Sequence, residues 1–301
     1  VRDFVIEALT ELVPVRVSRQ ELLRGSRRLR WAEAGVGRPT IVLVAGCGET
    51  ALDWASIMPK LAECSRFVAY DRAGLGESEP AVPLTIETQI EDLAALLDEV
   101  GPAVVVGHSW GGLLAQLVAL NCPHRIAGLV LIDPSHEELE TWWATAAEVA
   151  MATGVVSLKS VGLFGKVARG MGRSLAMRCT DDDRLRGLIA DAYVASYSSR
   201  QQVRMIRTEA LLAARSAPFA REARGTSAMP DVPVVVLSAG RGKPRSLQER
   251  SAPLMREIAA STPRGRHSIV DDAGHYIHHD RPEVVIEAIA DVVAVIRAES
   301  E

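Results

Sequence analysis

A serine hydroxyl is a useful nucleophile only where the backbone pushes it out of the fold and a base stands within hydrogen-bond reach. Gly107-His108-Ser109-Trp110-Gly111 offers such a place: it follows the β-branched run Val104-Val105-Val106 and leads straight into Gly112-Leu113-Leu114-Ala115-Gln116-Leu117-Val118-Ala119-Leu120. Strand, sharp reversal and helix follow one another directly, with Ser109 at the apex. A side chain at Gly107 or Gly111 would collide as the chain reverses, because the serine sits in a strained conformation. The helix beyond aims its free N–H groups and the positive end of its dipole at the point where an oxyanion would form. Cys47 is the competing nucleophile by type, but no His-Cys pairing accompanies it, and Ser109 is the better placed.

Gly107-His108-Ser109-Trp110-Gly111-Gly112 resembles the nucleophile elbow of the α/β-hydrolase family. Two more stretches carry the resemblance: Asp71-Arg72-Ala73-Gly74-Leu75-Gly76-Glu77-Ser78 is similar to the family's D-x-x-G-x-G-x-S turn, and Asp272-Ala273-Gly274-His275-Tyr276-Ile277 to its Gly-His motif. The resemblance runs from about residue 20 to residue 298. It implies a mostly parallel central sheet flanked by helices, with the serine following the fifth strand. It implies His275 as the general base, carried to the C-terminal sheet edge by the loop between the last strand and the last helix. It implies an oxyanion hole built from the backbone N–H groups of Trp110 and of Cys47, where Ala45 stands in place of the family's common histidine. His108 is expected to be structural, and His278 and His279 to face solvent or the pocket rim.

The acid of the triad departs from the common pattern. The loop after the seventh strand, Ser238-Ala239-Gly240-Arg241-Gly242-Lys243-Pro244-Arg245, holds cations and no carboxylate. Some members carry the acid at the end of the sixth strand, where this chain has Asp133, and the order Ser109, Asp133, His275 keeps the family's sequence of roles. Asp133 is therefore expected to orient His275. Asp271 and Asp272 are rivals, and a dyad lacking an acid is the remaining alternative. If Asp133 serves, residues 240–245 should approach with backbone only or turn their cations outward.

The elements that must hold these residues can be read along the chain. Residues 3–13 form an amphipathic helix, residues 21–33 a hairpin around Gly25-Ser26, and Thr40 to Ala45 a buried strand. A helix covers Leu52 to Leu61, and Arg66 to Tyr70 is the next strand. Ile86, Ile90, Leu93, Leu97 and Val100 mark a helix with Thr85 as N-cap. The elbow strand is followed by Ile126 to Ile132. Between residues 136 and 229 the alternation stops, and helices are expected at Glu138 to Met151, Leu158 to Met177, Asp183 to Ser196 and Arg200 to Arg215. Residues 1–135 and 230–301 are thus the α/β core, and 136–229 a helical cap inserted between strands six and seven. Trp142, Trp143, Phe164, Met171, Met177 and Met205 give the cap its apolar surface, with Trp142 and Trp143 expected at the substrate. The sheet resumes at Val232 to Ser238 and Arg266 to Val270, around a helix from Leu247 to Ala260, and the chain closes on a helix from Pro282 to Arg297.

Bulk properties narrow the function further. A chain of 301 residues, 48% hydrophobic and 24% charged, can bury a large core. The net charge of −4 gives no electrostatic footprint for nucleic acid or an acidic membrane surface. Cys47, Cys64, Cys122 and Cys179 show neither metal-ligand spacing nor pairing, so free thiols and a cytoplasmic location are expected. No stretch has a signal peptide's apolar run or the length of a membrane span. The partner is expected to be a small molecule, met by a monomer or homodimer without metal or cofactor. The resemblance implies hydrolysis of an ester, lactone or related acyl bond of a small apolar substrate through an acyl-enzyme. It leaves open peptidase, C–C bond hydrolase and cofactor-free perhydrolase activities, and a hydrolase-fold receptor that does not turn over. Epoxide hydrolases and dehalogenases need Asp where Ser109 stands.

Overall fold

The computed structural model describes residues 3–139, 150, 153–154 and 164–300. Helix α1 (Phe4–Leu12) begins at Asp3, whose carboxylate accepts the Ile6 N–H at 3.1 Å. β1 (Ser18–Arg24) and β2 (Arg27–Ala34) form an antiparallel hairpin. β3 (Thr40–Val44), α2 (Met58–Cys64), β4 (Phe67–Asp71), α3 (Ile86–Val100) and β5 (Ala103–His108) follow. Next come α4 (Ser109–Asn121) and β6 (Ile126–Ile132). Beyond the gap in description lie α5 (Phe164–Cys179), α6 (Asp183–Tyr197), α7 (Arg200–Ala213) and α8 (Ala217–Thr226). β7 (Val234–Ala239), α9 (Arg245–Ala260), β8 (Gly265–Val270), the single turn α10 (Ile277–Asp280) and α11 (Pro282–Ser300) complete the chain.

Among the described residues the strands make one sheet in the order β1-β2-β4-β3-β5-β6-β7-β8, parallel from β4 onward. The order places the site. From β3 the chain moves out to β4 and then crosses back to β5, so the loops leaving the C-terminal ends of β3 and β5 diverge and leave a crevice between them. Register brings the relevant strand ends level: Val44 lies beside Gly107, His108 beside Ile132, Ile132 beside Leu237 and Ala239 beside Val270. Each candidate catalytic residue thus leaves the same edge of the sheet.

The inner strands β3 to β7 are buried on both faces, so their residues divide between two layers. Leu43, Val106, Ile132 and Leu237 pack with Val285, Ile289 and Val292 of α11. Val44, Val105, Leu131 and Val236 pack with Leu93 of α3, Leu113 and Leu117 of α4 and Ile258 of α9. The elbow needs its glycines for contact reasons. A Cβ on Gly111 would fall 2.1 Å from the Val44 carbonyl oxygen, and one on Gly107 would fall 2.6 Å from the Gly111 oxygen.

Several expectations change in detail. The helix read at Leu52 to Leu61 is a 3-10 turn, Ala51–Trp54, followed by α2, which has Pro59 in its first turn. α8 was not expected. Its buried side chains are only Ala220 and Ala223, too small a stripe to register as periodicity. The first expected cap helix, with Trp142 and Trp143, lies mainly outside the described residues, so nothing places those two side chains. Helix α1 packs against α6, where Glu11 pairs with Arg184, so the N-terminal segment braces the helices above the sheet. Among the described residues, no helix is long and apolar enough to cross a membrane.

Candidate active site

Ser109 is the first residue of α4, and its backbone sits at φ 49°. Asp133, just past β6, sits at φ 42°. Among the described residues these are the only non-glycine positions in the left-handed region, which costs about 1–3 kcal/mol each and persists only where surrounding structure enforces it. The strain therefore falls on the two side chains that the sequence singles out as nucleophile and acid.

Asp133 and His275 meet directly, with His275 Nδ1 at 2.6 Å from Asp133 Oδ2. The imidazole is half-exposed to the cavity, whereas the carboxylate is only 2% exposed. The other oxygen, Oδ1, accepts the Ala239 N–H at 3.1 Å and the Lys243 ammonium at 2.5 Å. The cationic loop therefore does not turn outward as expected. Lys243 aims at Asp133 rather than at His275 and saturates the oxygen that His275 does not use. Burial would raise the Asp133 pKa, but His275 and Lys243 together hold it well below the ordinary carboxylate range. Asp271 and Asp272 are both exposed, and Asp272 pairs with Arg281.

Behind the site lies a buried pair that spacing did not reveal. His108 Nδ1 is 3.1 Å from Glu49 Oε2, and His108 Nε2 is 3.0 Å from the His275 carbonyl oxygen. A carbonyl can only accept, so Nε2 carries a proton. Burial opposes charging of His108, but the Glu49 carboxylate outweighs it and raises the pKa. Burial also opposes ionisation of Glu49, yet His108 brings its pKa down to about 2. The Nε2 N–H of His108 thus donates to the main chain of His275 and fixes the loop that carries it. Glu49, His108 and His278 have ligand-type atoms within 4.8 Å of one another. Both ring nitrogens of His108 are engaged, Nδ1 with Glu49 and Nε2 with the His275 carbonyl, so the pair serves the loop.

His278 departs from expectation, whereas His279 borders the cavity as expected of a rim residue. The turn α10 buries His278 completely, between Trp54 at 4.7 Å and His108 at 4.6 Å between ring centroids. His279 donates through Nε2 to the Asp53 carbonyl oxygen at 2.8 Å. Nearby, Tyr197 donates its hydroxyl to the Asp53 carboxyl, and Thr50 N–H donates to the same oxygen at 2.9 Å. Burial first, and the Glu49 charge second, push the Asp53 pKa up to about 7.

That shift has a consequence for stability. Asp53 holds its proton in the folded state to near pH 7, whereas an unfolded Asp loses it near 3.8. Between those values the folded state binds more protons, so its stability falls as pH rises, by about 1.4 kcal/mol per pH unit at most. Asp53→Asn should remove this slope. Thermal unfolding is expected to show a difference between variant and wild type that favours the variant more at pH 8 than at pH 4.5. A pH-independent difference would contradict the assignment.

Ser109 and His275 open onto a cavity of about 840 Å³ between the sheet edge and the helices after β6. Cys47 stands at its floor, while Phe164, Met171, Tyr193, Tyr197 and Ile206 line its walls. Of the apolar residues read in the cap, Phe164 and Met171 reach this space. Met205 is instead buried against Gly74, and Met177 is exposed. The turn bearing Cys47 is closed by Glu49, whose carboxylate accepts the Gly46 N–H at 2.6 Å. The arrangement brings a strained serine, an imidazole with a buried carboxylate behind it and the N-terminus of α4 to one apolar chamber. Such a set can perform nucleophilic acyl transfer.

Comparison with known proteins agrees with this fold. A sequence profile described as "Alpha/beta hydrolase family" matches residues 41–288. The pimeloyl-[acyl-carrier protein] methyl ester esterase of Sodalis glossinidius is 38% identical over 107 residues, which are 36% of this chain and 41% of that protein. Lipase LipV of Mycobacterium tuberculosis is 39% identical over 108 residues, 35% of this chain and 40% of that protein. The matched stretches thus span about two fifths of these relatives. The solved structure "Epoxide hydrolase CorEH without ligand" superimposes with a TM-score of 0.70 at 20% identity, covering 93% of this chain and all of that one. At that identity the likeness speaks for the fold alone.

Proposed function

The chain belongs to the alpha/beta hydrolase family, and on that premise we propose that it is a serine hydrolase cleaving an ester, lactone or related acyl bond of a small apolar substrate. The observation that carries the reading is the 2.6 Å contact of His275 with the buried Asp133 behind a cavity that Ser109 shares. In this mechanism Ser109 Oγ attacks the carbonyl carbon while His275 Nε2 takes its proton. The negative charge that gathers on the carbonyl oxygen is held by the backbone N–H groups of Cys47 and Trp110. Asp133 keeps the proton on Nδ1 and stabilises the imidazolium. Collapse expels the alcohol, which receives the proton from His275. Water, deprotonated by the same imidazole, then hydrolyses the acyl-serine and restores the hydroxyl. These steps use only the chain's own groups and water.

The relatives named as an esterase and a lipase fit this reading over the stretches they share. The structural likeness to an epoxide hydrolase does not extend to its chemistry. A serine that opened an epoxide would be left as an ether, with no carbonyl for water to attack. A carboxylate nucleophile avoids that trap, and this chain has none at position 109.

The apolar walls set the expected substrate. Phe164, Val167, Met171 and Leu175 of α5 line the chamber together with Ile206 and Ala210 of α7. Against p-nitrophenyl esters of graded acyl length, kcat/KM should peak at a medium-length apolar acyl group and fall by about tenfold or more for acetyl, since each buried methylene contributes about 0.8 kcal/mol. Faster turnover of short charged esters of equal intrinsic reactivity would overturn the substrate class. No turnover of any ester or lactone would overturn the activity.

A further inference from the structure

Helix α7 stands above the sheet edge, but two of its side chains reach down into the turn after β3. Gln202 Nε2 donates to the Gly48 carbonyl oxygen at 2.9 Å, and Glu209 Oε2 accepts the Gly48 N–H at 2.5 Å. Both peptide groups flanking the Gly48 α-carbon are therefore held from the helix. Glu209 also accepts from Arg72, Nε to Oε1 at 2.7 Å and Nη2 to Oε2 at 2.8 Å. Arg72 in turn donates to the carbonyl oxygens of Ala45 and Gly46, each at 2.5 Å. Because a trans peptide points its N–H opposite its C=O, holding the Gly46 oxygen fixes the direction of the Cys47 N–H.

The same carboxylate reaches the other side of the crevice. Gln89 Nε2 donates to Glu209 Oε1 at 2.5 Å, and Gln89 Oε1 accepts the Trp110 indole N–H at 2.9 Å. Glu209 thus connects the turn of Cys47 with the residue that follows Ser109. Arg72, Gln89, Gln202 and Glu209 are all about 1% exposed, so bulk solvent does not compete for these bonds. Other side chains of α7 face the chamber: Ile206 and Ala210 line it, and Ile206 lies where a Cβ on Gly48 would meet it at 3.0 Å. One helix therefore borders the place where the acyl group would lie and connects, through Arg72 and Gln89, to the turn of Cys47 and to the side chain of Trp110, whose backbone N–H groups would hold the oxyanion.

We propose that Glu209 and Gln202 are positioning residues for the oxyanion hole, and that α7 couples the fit of the acyl chain to the aim of both donors. The inference rests on the serine-hydrolase reading. Selectivity for the acyl chain is then expressed in kcat rather than KM, because contacts that act on the transition state alone raise kcat. A helix lifted by a poorly fitting chain loosens both donors together.

The test uses Gln202→Met and Glu209→Gln with the graded p-nitrophenyl esters, after thermal unfolding shows that each variant folds. Gln202→Met removes neutral hydrogen bonds only, whereas Glu209→Gln also leaves Arg72 without its counter-charge. Loss of a whole oxyanion donor costs about 10²–10³ in kcat, so a misaimed one should lower kcat by about 10- to 100-fold on the preferred acyl length. KM should stay within about threefold, and the dependence of kcat on acyl length should flatten. A raised KM with unchanged kcat, or an unaltered acyl-length profile, would overturn the coupling. So would failure of both variants to fold, which would assign the network to the fold. Labelling of wild-type Ser109 by a fluorophosphonate separates the two claims. If wild type neither labels nor turns over, the hydrolase reading fails and the coupling with it; if it does both, the variants judge the coupling alone.

Discussion

Ser109→Ala is expected to lower ester turnover by about 10⁴- to 10⁶-fold, because the members of a nucleophile–base pair act as a unit and the loss of one removes the covalent route. The fold should survive. The exchange removes one oxygen from a side chain that faces the cavity, and among the described residues no hydrogen bond that shapes the elbow runs through the hydroxyl. Alanine must still adopt the φ of 49° that serine holds, so the strain is common to both proteins. Steady-state kinetics on the best p-nitrophenyl ester, with unfolding temperatures alongside, decide the matter. Residual activity above about a hundredth of wild type in a folded variant would remove serine catalysis from the account.

Asp133→Asn should cost nearly as much, about 10³- to 10⁴-fold in kcat, and the geometry says why. Oδ1 of Asp133 accepts from the Ala239 N–H and from the Lys243 ammonium. Two donors at that position fix the amide with its oxygen there and its NH₂ toward His275. The NH₂ can only donate, so Nδ1 becomes an acceptor and the neutral ring carries its proton on Nε2. That tautomer cannot take a proton from Ser109, and the imidazolium loses its counter-charge. A variant that kept a tenth of wild-type kcat would show that another group orients His275.

How far this site could be read from the sequence depends on the kind of interaction involved. The stretch from Val104 to Leu120 was legible because strand, reversal and helix are each local, and Gly107 answers to a contact within the same motif. The helix Ile86–Val100 was legible for the same reason: its apolar face has the helical period and Thr85 caps it by accepting the Thr88 N–H. The meeting of Asp133 with His275 was anticipated because the usual loop lacks a carboxylate. The role of Lys243 was not, since a cation in a Gly-rich loop ordinarily faces water.

The buried polar pairs left no trace in periodicity. Glu49 and His108 are 59 positions apart, and Arg72 and Glu209 are 137 apart. Neither partner in either pair belongs to a motif that names the other, and only the packing of the sheet edge brings them together. His278 was misread because a single helical turn, Ile277–Asp280, rotates it inward, and so short an element gives no sequence signal. α8 was missed because alanines, not large apolar residues, make its buried face.

The central claim is a covalent acyl-serine, and rapid-quench mass spectrometry during turnover of a p-nitrophenyl ester tests it most directly. The protein should gain the mass of one acyl group, the modified peptide should contain Ser109, and Ser109→Ala should show no gain. Turnover without any adduct, or an adduct on Cys47 instead, would contradict it.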